Sequence, residues 1–267
     1  MIRLQPGGAG VDAHTRYRGR DTSTTLPDVT ALTALRATPA PPGSVSLRCW
    51  ITHHPSRPYL PLRLLDLLAD AACFGDAQPR VVFDPKPAGP VNPWRTYRRA
   101  LEEAARADGA THHLFLQDDV LPCAGLLDAA REAARWRPAA LVCLFVNDLA
   151  VQTSLRIRDA AARGAGWAPI VGERFVPTVA TLWPAELVAR AAVEARPVLD
   201  RPQADDEAVG DWAASAGAEV WATVPNLAQH DEDAPSTFLG HRDGRARWAT
   251  CWIGEHPWGA VPWSVDF

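Results

Sequence analysis

Strand-like and helix-like apolar patterns alternate between residues 44 and 150, and this alternation limits the fold more than any other feature of the chain. Short apolar runs such as "SLRCWITHH", "RVVFD", "HHLFLQ" and "AALVCLFVND" are typical of buried strands. Segments with apolar residues at helical spacing lie between them. The alternation predicts an α/β fold with a doubly wound, mostly parallel sheet.

The remaining sequence suggests how the chain is divided. Residues 1–43 are rich in Gly, Pro, Thr and Arg, which predicts a flexible leader. Residues 44–245 are expected to form one domain, with a regular half at 44–150 and a mixed half of short strands and helices at 151–245. Residues 246–267 form a tail with four of the eleven tryptophans. This tail is expected to pack as structural cladding or to close over a ligand as a lid.

Composition excludes few functions, but it favours some partners and compartments over others. A formal net charge of −4 gives no general reason to bind nucleic acid or an anionic membrane. No apolar run reaches the roughly 18 residues of a membrane span, so none is predicted. Five cysteines without a CxxC pair, and a start without the apolar core of a signal peptide, favour a reduced, cytoplasmic protein.

Polar side chains follow three of the predicted strands. Ligands of open parallel sheets bind at the carboxyl ends of the strands, so we expect these side chains to meet in one crevice. They are His53, His54 and Arg57 after the first strand, Asp84 after the second, and Asp118 and Asp119 after the third.

The adjacent pair Asp118 and Asp119 is interpreted as a metal site. Carboxylate oxygens suit Mg²⁺ or Mn²⁺, which commonly take one or two protein ligands when a diphosphate supplies others. His230, after a late short strand, could add a nitrogen ligand, which Mn²⁺ tolerates better than Mg²⁺. The structural alternatives are a polar turn that caps a helix starting at Pro122, and a surface histidine in an acidic loop.

A second acidic group, "DDE" at residues 205–207, opens a predicted helix. Backbone N–H groups at a helix N-terminus favour negative charge, so Asp205 is expected to be a cap. Asp206 or Glu207 could instead be a general base that accepts a proton from an attacking hydroxyl.

The order of these pieces resembles a nucleotide-sugar glycosyltransferase of the GT-A type, similar to family 2. The resemblance rests on "HHPSR", the Asp of "RVVFD", "LFLQDDV", "DDE" and "VPNLAQH", and it covers residues 45 to about 240. It implies a Rossmann-related sheet with a mixed C-terminal acceptor part. Gln117 departs from the family's acidic triplet at its first position.

The resemblance also implies roles for single residues. Asp84 would contact the base or ribose of a nucleoside-diphosphate sugar, a UDP-sugar being favoured, with His53 and Arg57 also on the donor. Asp118 would hold the ribose or donor sugar. Asp119 and His230 would bind the metal, with Mn²⁺ or Mg²⁺ as the cofactor. If the enzyme inverts configuration, which the sequence leaves open, Asp206 or failing it Glu207 would deprotonate the acceptor hydroxyl.

The acceptor is less defined than the donor. Trp167 is a candidate platform for an acceptor ring, with an ordinary buried tryptophan as its alternative. A small molecule, a saccharide or a peptide is favoured, and a modified nucleic-acid base stays open. Competing functions are a metal-dependent nucleotidyltransferase, which usually has a Gly-rich loop that "ITHHPSR" lacks, a two-carboxylate hydrolase, and a non-catalytic nucleotide-sugar-binding protein with a decayed transferase fold.

Overall fold

The computed structural model describes residues 45–69, 77–147, 150–171, 174–234, 247–254, 256 and 258–266. The predicted leader, residues 1–43, lies outside the described residues. The strands are β1 (Leu47–His53), β2 (Arg80–Phe83), β3 (His112–Gln117), β4 (Val120–Pro122), β5 (Leu141–Cys143), β6 (Trp167–Pro169), β7 (Ala180–Pro184), β8 (Val220–Thr223) and β9 (Ala228–His230). The helices are α1 (Leu60–Ala69), α2 (Pro93–Ala105), α3 (Leu126–Trp136), α4 (Val151–Ala162), α5 (Ala185–Glu194) and α6 (Asp205–Ala216), and a short 3₁₀ turn spans Trp258–Ala260.

A seven-stranded sheet forms the centre of the described protein, in the order β2-β1-β3-β7-β5-β8-β6. Strands β1, β2, β3, β5 and β8 run in one direction, whereas β7 and β6 are antiparallel to their neighbours. The predicted α/β class and the mostly parallel direction are therefore confirmed. The doubly wound connectivity is not confirmed, because β7 lies between β3 and β5 in the middle of the sheet.

Two local features differ from the sequence expectations. The fourth predicted strand is only three residues long, β5, and the apolar residues after it are buried in irregular backbone. Helix α4 was not predicted at all. Its side chains Val151 and Leu155 are exposed, so apolar residues occur on both its faces and blur the helical periodicity.

Apolar cores cover both faces of the sheet. On one face, α2, α5 and α6 contribute Trp94, Val188 and Trp212 to a core that also contains Trp183 of β7. On the other face, α1 and α3 pack against strand residues together with the end of the tail. This two-sided burial explains why the central strands read as continuous apolar runs rather than alternating ones.

A second, two-stranded sheet pairs β4 with β9 in antiparallel register, with Val120 opposite His230. The expectation that Pro122 starts a helix is wrong, because Pro122 ends β4 and α3 begins at Leu126. The carboxylate pair before β4 therefore leads into a strand and not into a helix cap.

The described part of the tail packs against the sheet edge. Trp263 is buried with its ring centroid 5.4 Å from that of Trp167, and its carbonyl accepts the indole N–H of Trp167 at 2.8 Å. Arg137 stacks over Trp221, 3.9 Å from the ring centroid, and forms an ion pair with Asp266. These contacts support the cladding alternative for the tail.

The described cysteines, Cys49, Cys123, Cys143 and Cys251, are free and buried, as expected for packing residues.

Among the described helices, none has the length and apolar character that crossing a bilayer requires.

Candidate active site

The carboxyl ends of β1 and β3 bring the first site residues together. Thr52 is paired with Gln117 in parallel register, so the residues that follow them leave the sheet side by side. His53 Nδ1 lies 2.5 Å from Asp118 Oδ2, and both side chains are buried. Burial raises the pKa of Asp118, and the neighbouring charge of Asp119 raises it further, although His53 and Arg57 act in the opposite direction.

Arg57 joins the two adjacent aspartates. Its guanidinium donates to Asp118 Oδ1 and, at 2.7 Å, to Asp119 Oδ2. Arg57 is buried, with 7% of its surface exposed. The planar, multidentate guanidinium is suited to contact two carboxylates at once, which a lysine ammonium does less well. The mutual repulsion of the aspartates is therefore offset inside the protein.

The β4–β9 pairing carries His230 to the second aspartate. The backbone N–H of Asp231 donates to the Asp119 carbonyl at 2.8 Å, and His230 Nε2 lies 3.3 Å from Asp119 Oδ2. His230 Nδ1 lies 2.9 Å from Glu232 Oε1. Burial alone would raise the pKa of Asp119, but His230 and Arg57 together hold that pKa well below its usual range. Asp119 is thus an anion at neutral pH.

The donor atoms fit a divalent cation. Asp119 Oδ1 and both ring nitrogens of His230 are buried, and none has a hydrogen-bond partner with adequate geometry. Buried polar atoms without partners are uncommon, and a role in binding an ion is one accepted reason for them. Within the described residues, no cluster of three or more His, Cys, Asp or Glu could hold a metal. A carboxylate and an imidazole suit Mn²⁺ when a diphosphate completes the coordination.

Asp84 follows β2 at this edge, and its carboxylate is already hydrogen-bonded within the protein. The side chain of Asn92 caps α2 by accepting from Arg95 N–H at 3.0 Å, which sets the first turn of the helix. Arg95 then donates to both oxygens of Asp84, at 2.7 and 2.8 Å, and the N–H of Lys86 donates at 2.9 Å. Burial opposes the change, but these hydrogen bonds lower the pKa of Asp84.

Helix α6 reaches the same edge through Gln117. The Gln117 amide donates to Asp205 Oδ2 at 2.9 Å, and Asp205 is buried. The expectation that Asp205 caps the helix is wrong, because Ala204 holds the cap position and Asp205 is the first helical residue. In the sequence, Gln117 was recognised only as a departure from the family's acidic triplet. Its structural function could not be recognised from one sequence.

Asp206 has an environment that raises the pKa of its carboxyl group. It is half-buried, and its carbonyl accepts from the N–H of Val176 at 3.1 Å. Burial, and next the charge of Asp205, raise its pKa to about 7. A base with a pKa near the working pH is the most effective one. Glu207, the other sequence candidate, is exposed and lies 4.0 Å from Arg196.

The ring of Trp167 is fully buried and cannot stack on a ligand. Its side chain is 0% exposed, its N–H is bonded to the tail, and Arg137 lies 5.1 Å from the centroid of its ring. A stacking platform needs an exposed ring face, so the structure argues against the predicted acceptor contact. The physical reason is that the tail covers β6, which the local sequence around Trp167 does not reveal.

Gly210 sets how closely α6 packs against residues 174–176, where the N–H of Val176 donates to the carbonyl of Asp206. A Cβ at Gly210 would lie 2.4 Å from the carbonyl carbon and oxygen of Arg174, so only glycine permits this packing. Alanine favours helices over glycine by about 1 kcal/mol. Gly210→Ala is nevertheless expected to lower the free energy of unfolding by roughly 1–3 kcal/mol, because backbone must move.

The measurement for Gly210→Ala is the midpoint of urea unfolding. Gly259→Ala is the matched control, since an added methyl group there meets nothing within 4 Å. An unchanged midpoint for Gly210→Ala, or an equal loss in both variants, would contradict the close packing of α6.

Comparison with protein families and with curated proteins gave no match. Among solved structures, a mannosyltransferase from Pyrobaculum calidifontis, determined with GDP-mannose and Mn²⁺, is 16% identical with a TM-score of 0.44. The alignment covers 70% of this chain and 59% of that one. The protein A197 from STIV is 16% identical with a TM-score of 0.45, over 71% of this chain and 87% of its own. Likenesses at this level leave the function to be argued from the site itself.

Proposed function

We propose that this protein is a metal-dependent glycosyltransferase that moves a sugar from a nucleoside-diphosphate donor to a hydroxyl acceptor. One observation carries the proposal. Asp119 Oδ1, which is buried without a hydrogen-bond partner, and the imidazole of His230, whose Nε2 lies 3.3 Å from Asp119 Oδ2, lie together at the carboxyl end of β3. The hydrogen bond between Gln117 and Asp205 ties the start of α6 to this edge, and the half-buried carboxylate of Asp206 follows on the same helix, which supports its assignment to the site.

The metal site is assigned to Asp119 and His230, with Mn²⁺ or Mg²⁺ as the ion. When bound, the ion supplies positive charge for the diphosphate that leaves the sugar. Asp119 stays ionised for this purpose because its pKa is held low. His230 is fixed in place by the β4–β9 pairing, which limits the reorganisation that binding requires.

The donor is assigned to the side chains around β1, β2 and β3. Asp118, kept in position by His53 and Arg57, would accept hydrogen bonds from the ribose or donor sugar. Asp84 already accepts three hydrogen bonds, from Arg95 and Lys86, and a carboxylate has about four lone-pair positions. It would therefore make one contact to the nucleotide and would mainly order the loop around it. We favour a UDP-sugar as donor.

Asp206 is assigned as the base of an inverting transfer. It takes the proton of the acceptor hydroxyl while the new sugar–oxygen bond forms and the sugar–phosphate bond breaks, and the electron pair leaves with the diphosphate. Small molecules, saccharides and peptides remain the acceptor classes that we favour. A modified nucleic-acid base ranks lower because of the acidic net charge.

A non-catalytic nucleotide-sugar-binding protein is the second candidate. It is favoured by the ion pairs of Arg57 with both aspartates, which offset part of the negative charge of the site without any added ion. A nucleotidyltransferase has less support, because β1 leads into "HHPSR" without a glycine-rich loop.

Thermal unfolding with Mn²⁺ and a panel of nucleoside diphosphates and nucleotide sugars tests the proposal. A ligand at 100 times its Kd stabilises the folded protein by about 2.7 kcal/mol, which corresponds to a rise of several degrees in Tm. We expect such a rise with one nucleoside diphosphate, only when Mn²⁺ is present. Mass spectrometry of reactions with pooled acceptors should then show the added sugar mass. Binding without any transfer would favour the second candidate, and no binding would contradict both.

A further inference from the structure

Arg57 binds the carboxylate that the proposed metal would need, Asp119, together with its neighbour Asp118. Its guanidinium contacts both aspartates, and the oxygen of Asp119 that it binds, Oδ2, is also the one that faces His230 Nε2 at 3.3 Å. The other oxygen, Oδ1, is buried without a hydrogen-bond partner. Asp119 thus presents one oxygen neutralised by Arg57 and one left unpaired.

A divalent cation entering this site would lie beside the guanidinium. Like charges a few ångströms apart repel strongly where water is scarce, and Arg57, Asp118 and Asp119 are all buried. The cation alone must therefore compete with Arg57 for Asp119. A diphosphate changes this balance, because it offers Arg57 a new anionic partner with which a guanidinium forms bidentate hydrogen bonds.

We infer that Arg57 is an internal counter-cation that opposes binding of a divalent metal alone and permits its binding together with a diphosphate-bearing ligand. This inference rests on the proposed function. It assigns Arg57 two positions: on Asp118 and Asp119 in the metal-free site, and on the diphosphate once the metal occupies Asp119. Metal and donor then bind with positive coupling, which is reciprocal by thermodynamic necessity.

Titration of Mn²⁺ alone, followed by the electron paramagnetic resonance signal of the free ion, tests the inference without turnover. We expect Arg57→Gln to bind Mn²⁺ at least about tenfold more tightly than the unchanged protein, because a competing positive charge is lost. Arg57→Lys keeps the charge but cannot reach both carboxylates as a fork, so its affinity should lie between the two. Arg99→Gln, at an exposed arginine paired with Glu103, should leave the affinity unchanged.

A second measurement covers the case in which Arg57→Gln folds poorly. For each variant, the rise in Tm caused by Mn²⁺ alone is compared with the rise caused by Mn²⁺ and UDP together. The unchanged protein should respond mainly to the combination, whereas Arg57→Lys should respond more to Mn²⁺ alone than the unchanged protein does.

Equal Mn²⁺ affinity in all variants, or weaker binding after Arg57 is replaced, would overturn the inference. These results are separable from failure of the proposed function. If the unchanged protein transfers sugar with Mn²⁺ but its Mn²⁺ affinity does not depend on Arg57, only the inference fails. If nucleotide sugars neither bind nor react, the proposed function fails whatever the Mn²⁺ titrations show.

Discussion

Asp119→Asn is expected to reduce metal-dependent sugar transfer by about 10²–10³-fold, the range found when a charge-stabilising group is removed from an active site. The substitution keeps the volume of the side chain, so it leaves no cavity. It removes the negative charge that Arg57 and His230 both face at Asp119 Oδ2. A neutral amide is a poor ligand for a hard divalent ion, so both the rate and the Mn²⁺-dependent rise in Tm should fall.

The matched control for this variant is Asp233→Asn. Asp233 is an exposed carboxylate in the loop after β9, and its loss changes the net charge by the same amount. Rates are measured with saturating donor across a range of Mn²⁺ concentrations, after circular dichroism shows that both variants are folded. If Asp119→Asn transfers sugar within about threefold of the control at all Mn²⁺ concentrations, the metal assignment is refuted.

The meeting of His53, Asp118 and Asp119 could be predicted because it follows from a general property of parallel sheets. Neighbouring parallel strands end at the same edge, and the register of β1 with β3 fixes which residues leave together. The apolar runs before these residues were long enough to recognise. The strand ends therefore predict which of these side chains lie close together.

His230 is predicted to be a ligand from its place after a late short strand and from the family resemblance, but no local pattern predicts its approach to Asp119. It depends on pairing between β4 and β9, and each of these strands has three residues. A three-residue strand is too short for an alternating pattern to show, and its partner lies more than one hundred residues away in sequence. Local sequence contains no signal for such a contact.

The directions in which neighbouring side chains point could not be predicted from the sequence either. Successive helical residues point about 100° apart, so Asp205 and Asp206 face different directions, and the sequence does not say which of them faces the sheet edge. The structure turns Asp205 towards Gln117 and leaves Asp206 half-buried. The same limit applies to Trp167, whose burial depends on a tail segment about 96 residues further along.

Asp206→Asn is expected to lower kcat by about 10²–10⁴-fold, the usual contribution of a general base. The pKa of about 7 gives this prediction a pH signature. A base works as the carboxylate, so kcat/KM of the unchanged protein should rise with pH through about 7 and then level. In Asp206→Asn the residual rate should not show this rise, the rising limb of the pH–rate profile. Asp211→Asn, further along α6 and paired with Arg196 at 3.5 Å, is the control.

Asp205→Asn provides a test that a merely structural residue would not pass. The charge of Asp205 is the second cause, after burial, of the raised pKa of Asp206. Removing that charge makes it easier for Asp206 to ionise, so the rising limb of the profile should move to lower pH while Asp206 continues to act as the base. Glu207→Gln removes the other neighbouring charge, which makes a smaller contribution, and should shift the limb less.

The three profiles together decide which carboxylate receives the proton. Loss of the limb in Glu207→Gln and its retention in Asp206→Asn would assign the base to the exposed glutamate instead. An unshifted limb in Asp205→Asn would mean that the group titrating near pH 7 lies elsewhere in the site. Within the described part of the chain, Asp206 combines partial burial with an adjacent buried carboxylate on the same helix turn, and that combination raises the pKa of a carboxyl group towards neutral pH.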